Sequence, residues 1–384
     1  MATASQKLSN EEFSFSSSIA SDVWHPKQDA KAYEWWYFDA LSDDGKEAVV
    51  IIFLDNFVFS PRYNARSGEA KKGKKGESTS FENSTASNPQ SQIPNPKSNV
   101  PAVVFIYYRN GKPVYRAINE FSASDFEASS TIPECKIGDN SFKMETASYG
   151  SGYLLSINAK LSNNRRLEAN FEWLSIESDL APERFSPTNN AHSWNLVAPR
   201  SDVSGKINVF DKRGKNSDVR HFRGTGYHDH NLDHRWLPET VKDWHWGRVH
   251  FADATAVFYR YGETNDKPPT NKLLVIRNGE LVERDAFYVE TEYQRDKFGI
   301  RYPMRMRFES EDNIKLRVKH QQIIDSSFFY LRFLSEMTLT LRDGKPRRTI
   351  GITEYLAPKA LKYRWLNWLV NMRIGRNGKG SFLP

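Results

Sequence analysis

Turn dipeptides set the frame of this chain. Asp44-Gly45, Asn110-Gly111, Asn278-Gly279 and Asp343-Gly344 each stand between runs rich in β-branched and aromatic residues, such as VVFIYY before Arg109-Asn110 and MTLTL before Arg342-Asp343. Such pairs adopt the left-handed backbone that a tight hairpin needs, so each predicts two adjacent antiparallel strands. Two share a frame, Arg109-Asn110-Gly111-Lys112-Pro113 and Arg342-Asp343-Gly344-Lys345-Pro346, one in each half of the chain. Strand-like and helix-like segments do not alternate, which argues against a parallel α/β sheet and leaves antiparallel barrels or sandwiches.

With 384 residues, the chain exceeds what one core usually organises. The expectation is all-β: two antiparallel β-barrel domains over 21–205 and 206–384, divided somewhere between Asn195 and Lys215, after a flexible stretch 1–20. Residues 66–99 are dominated by Lys, Gly, Ser, Asn, Gln and Pro, with Phe81 and Ile93 as the only large apolar side chains. Such a segment cannot bury enough surface to offset its ordering entropy. It reads as a disordered insertion in the loop between the strand-like runs Ala48–Leu54 and Ala102–Tyr108, where extra length costs little.

One helix is expected, over 358–373. There Leu361, Trp365, Trp368, Leu369 and Met372 fall on one face, with Pro358 in the first turn and Gly375 as the stop. The opposite face carries Lys362, Arg364 and Arg373. It could dock on a barrel or make peripheral contact with a membrane surface.

Aromatic residues make up 13% of the chain, which suits strands and equally suits an aromatic-lined pocket. The single Cys135 cannot form an internal disulfide and reads as a buried small hydrophobe in a reducing compartment. The first ten residues lack the apolar core of a secretory signal, and no run of about 18 apolar residues occurs. Together these predict a cytoplasmic protein. Much of the +7 net charge sits in the Lys71–Lys75 run and the C-terminal segment, without the aromatic interleaving of an RNA-binding strand. Nucleic acid is therefore not an expected partner.

Seven of the nine histidines lie between His192 and His250, and the densest stretch runs from Gly226 through Tyr227, His228, Asp229, His230, Asn231, Leu232 and Asp233 to His234. In a strand, Tyr227, Asp229 and Asn231 share one face while His228 and His230 share the other. One face would offer a cavity an acid, an amide and a phenol; the other would offer imidazole bases. His228, His230 and His234 also invite a metal reading. A hydrogen-bonded His/Asp network is preferred over a metal. Downstream, Trp244 and Trp246 share a face, as do Tyr259 and Tyr261, and such rings could wall a flat polyene and steady a carbocation. Near the N-terminus, Glu34 and Trp36 lie in a Glu-Trp-Trp-Tyr run, where a buried Glu needs a cationic partner.

Taken in order, Glu34-Trp35-Trp36-Tyr37, the run from Gly226 to Asn231, Trp244-x-Trp246 and Glu354-Tyr355-Leu356 resemble the landmarks of the carotenoid 1,2-hydratase and lipocalin-like Diels–Alderase superfamily. The resemblance spans most of the chain apart from the insertion. It implies two lipocalin-like domains, a pocket between or within the barrels with Asp229 in its polar cluster, and an enzyme without a cofactor. Two departures stand out. Leu232-Asp233 follow Asn231 where the family continues with Trp-Gly, and Tyr259-x-Tyr261 stands where the hydratases carry Tyr-x-Asp.

The expected activity is proton-initiated hydration or cyclisation of an isoprenoid double bond in a hydrophobic polyene. Asp229, hydrogen-bonded to His228 or His230, would be the acid. Tyr227, Asn231, Trp244, Trp246, Tyr259, Tyr261, Trp36 and Glu34 would shape the substrate site. A pericyclase that acts by orientation and a non-catalytic lipocalin-type carrier are the alternatives.

Overall fold

The computed structural model describes residues 13–27, 29–65, 99–148, 150–182, 191–265, 267–342 and 344–384. Among these, two curled antiparallel sheets carry the fold. The first comprises β1 (Phe13–Ser16), β2 (Tyr33–Ser42), β3 (Glu47–Leu54), β4 (Ala102–Arg109), β5 (Lys112–Glu120), β6 (Phe126–Ala128), β7 (Glu134–Ile137), β8 (Asn140–Ala147), β9 (Gly150–Lys160), β10 (Arg166–Glu177), β11 (His192–Phe210) and β12 (Asn216–Asp233). Its order is β5-β4-β3-β2-β12-β11-β10-β9-β8-β7-β6, with β1 added in parallel to β11. The second comprises β13 (Val241–His250), β14 (Thr255–Glu263), β15 (Thr270–Arg277), β16 (Glu280–Asp285), β17 (Phe287–Arg295), β18 (Arg301–Glu309), β19 (Lys315–Ser326), β20 (Tyr330–Thr340) and β21 (Arg347–Leu356), in the order β16-β15-β14-β13-β21-β20-β19-β18-β17. This is the all-β, antiparallel architecture that the turns predict, and it agrees with the lipocalin-like fold that the resemblance implies.

Two of the four turns take the backbone expected at both central residues, whereas at Asp44-Gly45, in the longer loop between Ser42 and Glu47, only Gly45 is left-handed. Asn110 and Gly111 have φ of 50° and 69°, and Asn278 and Gly279 have 53° and 76°. Both central residues are thus left-handed, as a two-residue hairpin of matching twist demands. Asp343 lies outside the described residues, as does the expected insertion except for Asn99.

Three expectations meet a different arrangement. Residue 205 falls inside β11, and the long β11–β12 hairpin keeps the chain in the first sheet as far as Asp233, so the change of sheet comes between Asp233 and Val241. Phe13 to Ser16, placed in the flexible N-terminus, pair with His192 to Asn195. The C-terminal helix is broken into 3-10 turns at Pro358–Lys362 and Arg364–Leu366 and a short α-helix at Asn367–Asn371. The reason is packing. Leu361 and Val370 are both buried in the core between the sheets, yet nine positions apart they would face opposite ways on a continuous helix of about 3.6 residues per turn. The break brings both inward and leaves Trp365 73% and Trp368 56% exposed, so the expected apolar face is split, with Leu361 docked and the two indoles outside.

Buried on both faces, the β2–β4 part of the first sheet separates two cores. Trp36, Phe38, Val49, Ile51, Phe53, Val103 and Phe105 pack inside the first sheet's own curl. Trp35, Tyr37, Val50, Leu54, Val104 and Ile106 face the second sheet, where Trp246, Ile352 and Leu356 meet them. Cys135 is buried in the first of these cores.

Candidate active site

Between the sheets lies a cavity of about 360 Å³. Directly paired residues in a sheet point to the same side, so register decides who lines it. Tyr227, Asp229 and Asn231 of β12 pair with Asp39, Tyr37 and Trp35 of β2. Trp246 and Trp244 of β13 pair with Glu354 and Leu356 of β21. Asp229, Asn231, Trp35, Tyr37, Trp244, Trp246 and Glu354 all reach the cavity, whose remaining wall is mostly aliphatic and phenyl. Trp35 of one sheet stacks on Trp244 of the other, with ring centroids 5.7 Å apart and planes 16° from parallel.

Asp229 is buried and accepts three hydrogen bonds. Tyr227 Oη and Trp194 Nε1 donate to Oδ2 at 2.7 and 2.9 Å, and Asn231 Nδ2 donates to Oδ1 at 2.9 Å. Trp246 Nε1 in turn donates to Tyr227 Oη at 3.2 Å. Burial dominates the titration and lifts the carboxyl to about 7, against the lowering effect of the Tyr227 and Trp194 donors. The carboxyl thus holds its proton far more tightly than an exposed Asp while it faces an apolar space.

A second carboxyl, Glu354, stands on the opposite sheet. Burial raises it too, although the Arg332 guanidinium pulls the other way. Arg332 ion-pairs with Glu354 and lies 2.7 Å from Asp39 Oδ2, while Arg248 NH2 lies 2.7 Å from Asp39 Oδ1. The Tyr37 hydroxyl accepts from Arg332 and is 3.0 Å from both Asp39 Oδ2 and Glu354 Oε1, to one of which it donates its proton. This buried network stitches β2 to β13, β20 and β21 beneath the cavity.

The histidines lie elsewhere. His228 and His230 point into the first sheet's own core, where His228 Nε2 is 2.9 Å from Asp22 Oδ2 and His230 bridges Asp22 Oδ1 at 3.1 Å and Glu34 Oε1 at 2.7 Å. Burial alone would depress His230, but hydrogen bonds to Asp22 and Glu34 raise it to about 9. Glu34 also pairs with His25 and with the buried Lys27, which reaches Asp55 at 3.0 Å. Burial opposes ionisation of Glu34, yet Lys27, His25 and His230 hold it well below the usual carboxylate range. The expected bond from His228 or His230 to Asp229 therefore does not form, because strand alternation sends them to the other face. Glu34 and Trp36 follow the histidines there, and Trp36 stacks on His230 at 4.8 Å.

His25, Glu34 and His230 do bring ligand atoms within 4.8 Å of one another, which is a different set from His228, His230 and His234. Lys27 and His230 already occupy the Glu34 carboxylate, so the donor set fits a closed ion-pair network better than a metal centre. Tyr259 and Tyr261 stand one layer behind the cavity. Tyr259 stacks on Trp194 at 4.5 Å and is 2.7 Å from His192 Nε2, while Tyr261 stacks on His192 at 4.9 Å. Burial lowers His192 to about 3, so this imidazole is neutral.

Fold and site together define a lipocalin-like protein of two curled sheets whose aromatic cavity closes on a buried carboxylic acid. The chain belongs to the carotenoid hydratase family: the family model described as carotenoid hydratase CrtC matches residues 180–382, more than half of the sequence. It is 26% identical over 367 residues to a hydroxyneurosporene dehydrogenase of Chlorobaculum tepidum, covering 94% of this chain and 91% of that protein. Two solved structures share the fold: CghA (TM-score 0.53, 12% identity, 86% of this chain and 89% of that one) and kievitone hydratase from Nectria haematococca (0.50, 9%, 90% and 97%). Family membership supports a hydratase-type enzyme acting on a hydrophobic substrate.

Proposed function

We propose that the protein hydrates or cyclises a hydrophobic polyene by protonating a terminal isoprenoid double bond, with Asp229 as the acid. The observation that carries this reading is a carboxyl near neutrality that opens on an aromatic cavity. Two donors occupy both lone pairs of Oδ2, so the acidic proton belongs on Oδ1. Protonation of an alkene carbon needs an acid held dry, and burial supplies that condition. The faces of Trp35, Tyr37, Trp244 and Trp246 would stabilise the resulting cation. Glu354, across the cavity, is the candidate base for a water that captures the cation. No cofactor takes part in this scheme.

Cyclisation needs the same first step and differs only in what captures the cation. The largely apolar wall also suits a pericyclase, in which orientation alone would carry catalysis. Purified protein incubated with linear isoprenoids in H₂O and in D₂O, with products read by mass spectrometry, separates these. Deuterium gained at carbon supports proton initiation, isomerisation without exchange supports the pericyclase, and binding without turnover supports a carrier.

A bilayer surface is the proposed source of the substrate. Among the described residues no helix is long and apolar enough to cross a membrane. The segment 357–384 nonetheless contains six Lys or Arg and no acidic residue. It exposes Trp365, Trp368 and Phe382 and also lends Leu369, Val370 and Leu383 to the cavity wall. Basic and aromatic residues in one exposed segment suit an anionic lipid interface.

A further inference from the structure

The cavity has a second polar end. From Asp229 its floor crosses β2, β3, β4 and β5 through the paired residues Tyr37, Ile52, Val104 and Ile118. Four strand spacings of about 4.8 Å make roughly 19 Å along the sheet. The opposite wall runs the same way, from Trp246 through Glu354 and Arg332 to Asp325. The two walls meet again where Arg116 of β5 contacts Asp325 of β19 at 2.6 Å. The other Asp325 oxygen accepts from Tyr108 Oη at 3.2 Å, so each oxygen of this carboxylate already has a partner.

Arg373, from the C-terminal segment, enters the cavity wall at the same place. Its hydrogen bond is from NH1 to the Ser326 carbonyl at 3.2 Å, and none of the ion pairs among the described residues includes it. A guanidinium carries five donors. Burial and then the neighbouring Arg116 both act against its charge, with Asp325 the compensating group. Two guanidinium groups thus share one carboxylate at a half-buried site, and the surplus positive charge borders the cavity opposite the acid.

We infer that this end binds the anionic head of an amphiphilic ligand, so that the substrate class is a polyene bearing a terminal carboxylate. Arg373 takes the carboxylate, and the apolar chain crosses the cavity until its far double bond reaches Asp229. The inference rests on the cavity being the substrate site. It adds that one end of the substrate is charged, which a plain hydrocarbon would not satisfy.

The test uses the full chain with cis-parinaric acid, a fluorescent polyene carboxylate, and its methyl ester at pH 8, where the acid is ionised. A charge-assisted hydrogen bond at a shielded site predicts that the acid binds at least about 10-fold more tightly than the ester. Arg373→Gln should bring the acid to the ester's affinity and leave the ester unchanged, while Arg373→Lys should keep part of the preference. Equal affinity of acid and ester for the wild type overturns the charged-head inference and leaves the cavity reading intact. So does an acid preference that survives in Arg373→Gln, since the head would then lie elsewhere. If neither probe binds, the cavity is not a ligand site and both readings fail together.

Discussion

The indole Nε1 of Trp194 lies 2.9 Å from Asp229 Oδ2 and donates to it, although both groups are buried and the acceptor is a carboxyl whose burial lifts it to about 7. The donor fixes the rotamer of the acid without stripping its proton. If Asp229 protonates carbon, the amide in Asp229→Asn can keep the Asn231 side of the network but cannot supply a proton. Turnover should fall by about 100-fold or more, with ligand affinity close to wild type. A variant that retains most of its rate would remove proton-initiated chemistry from this residue and favour the pericyclase.

The same carboxyl predicts two pH effects of defined sign. The protonated acid is the active form, so kcat should fall as pH rises through about 7. Because the folded-state value lies above the ordinary 3.8, the folded chain holds this proton more tightly than the unfolded one. That contribution is fully present below about pH 4 and is lost as pH rises through about 7. Asp229→Asn removes the loss, so its Tm relative to wild type should be more favourable at pH 8 than at pH 5. A constant difference across this range would show that Asp229 titrates normally.

His230 should prove structural. It is an imidazolium clamped between Asp22 and Glu34, and breaking a buried ion pair leaves charge unpaired, so His230→Gln should cost roughly 3–5 kcal/mol. With a folded value of about 9 against 6.5, its stabilisation is fully present below pH 6.5 and disappears as pH rises through about 9. The Tm gap between wild type and variant should narrow over that window, while the fall of kcat around pH 7 should stay in place in the folded variant. A displaced kcat profile would return His230 to the chemistry.

The exposed indoles of the C-terminal segment give a surface prediction. Trp365→Ala with Trp368→Ala should weaken binding to vesicles of mixed phosphatidylglycerol and phosphatidylcholine by at least about tenfold, since each large apolar side chain withdrawn from water is worth roughly 1.5–3 kcal/mol. Their exposure predicts an unchanged Tm. Wild-type binding should also fall as salt rises, because Lys359, Lys362, Arg364 and Lys379 of this segment are exposed. Equal partition of variant and wild type into these vesicles would count against a membrane source for the substrate.

The fold class was legible because hairpin dipeptides demand left-handed backbone, and Asn110-Gly111 and Asn278-Gly279 supply it. Asp229 was legible through alternation, which separates it from His228 and His230 in any extended strand. What alternation cannot say is which face meets the cavity. β2 is buried on both sides, so Trp35 and Tyr37 look no different in sequence from Trp36 and Phe38. The register of β2 on β12 supplies the missing information, since Tyr37 lies opposite Asp229 and Trp36 opposite His230. Glu354 was visible as part of a motif, but its place beside the cavity depends on pairing with Trp246 across more than a hundred residues. The broken C-terminal helix escaped the periodicity because Leu361 and Val370 obey a tertiary demand that no single helical face can meet.

Glu354 offers the sharpest separation of the two halves of the proposed reaction. Hydration needs one group to give a proton to carbon and another to take a proton from water, and the two carboxyls approach the cavity from different sheets. Glu354→Gln preserves shape and can still accept from Arg332, but it is a far weaker base. Asp229 should therefore continue to protonate the alkene and, with no water captured, recover the proton from the cation. In D₂O the variant should return substrate that has gained deuterium at the CH carbon of the terminal isoprenoid double bond, while formation of the alcohol falls at least about tenfold. The double variant with Asp229→Asn should lose the exchange as well. If Glu354→Gln forms alcohol at the wild-type rate, water is activated by another group and Glu354 serves the ion-pair network alone. If it abolishes exchange and hydration together while Tm is unchanged, Glu354 rather than Asp229 delivers the proton, and the roles of the two carboxyls must be reversed.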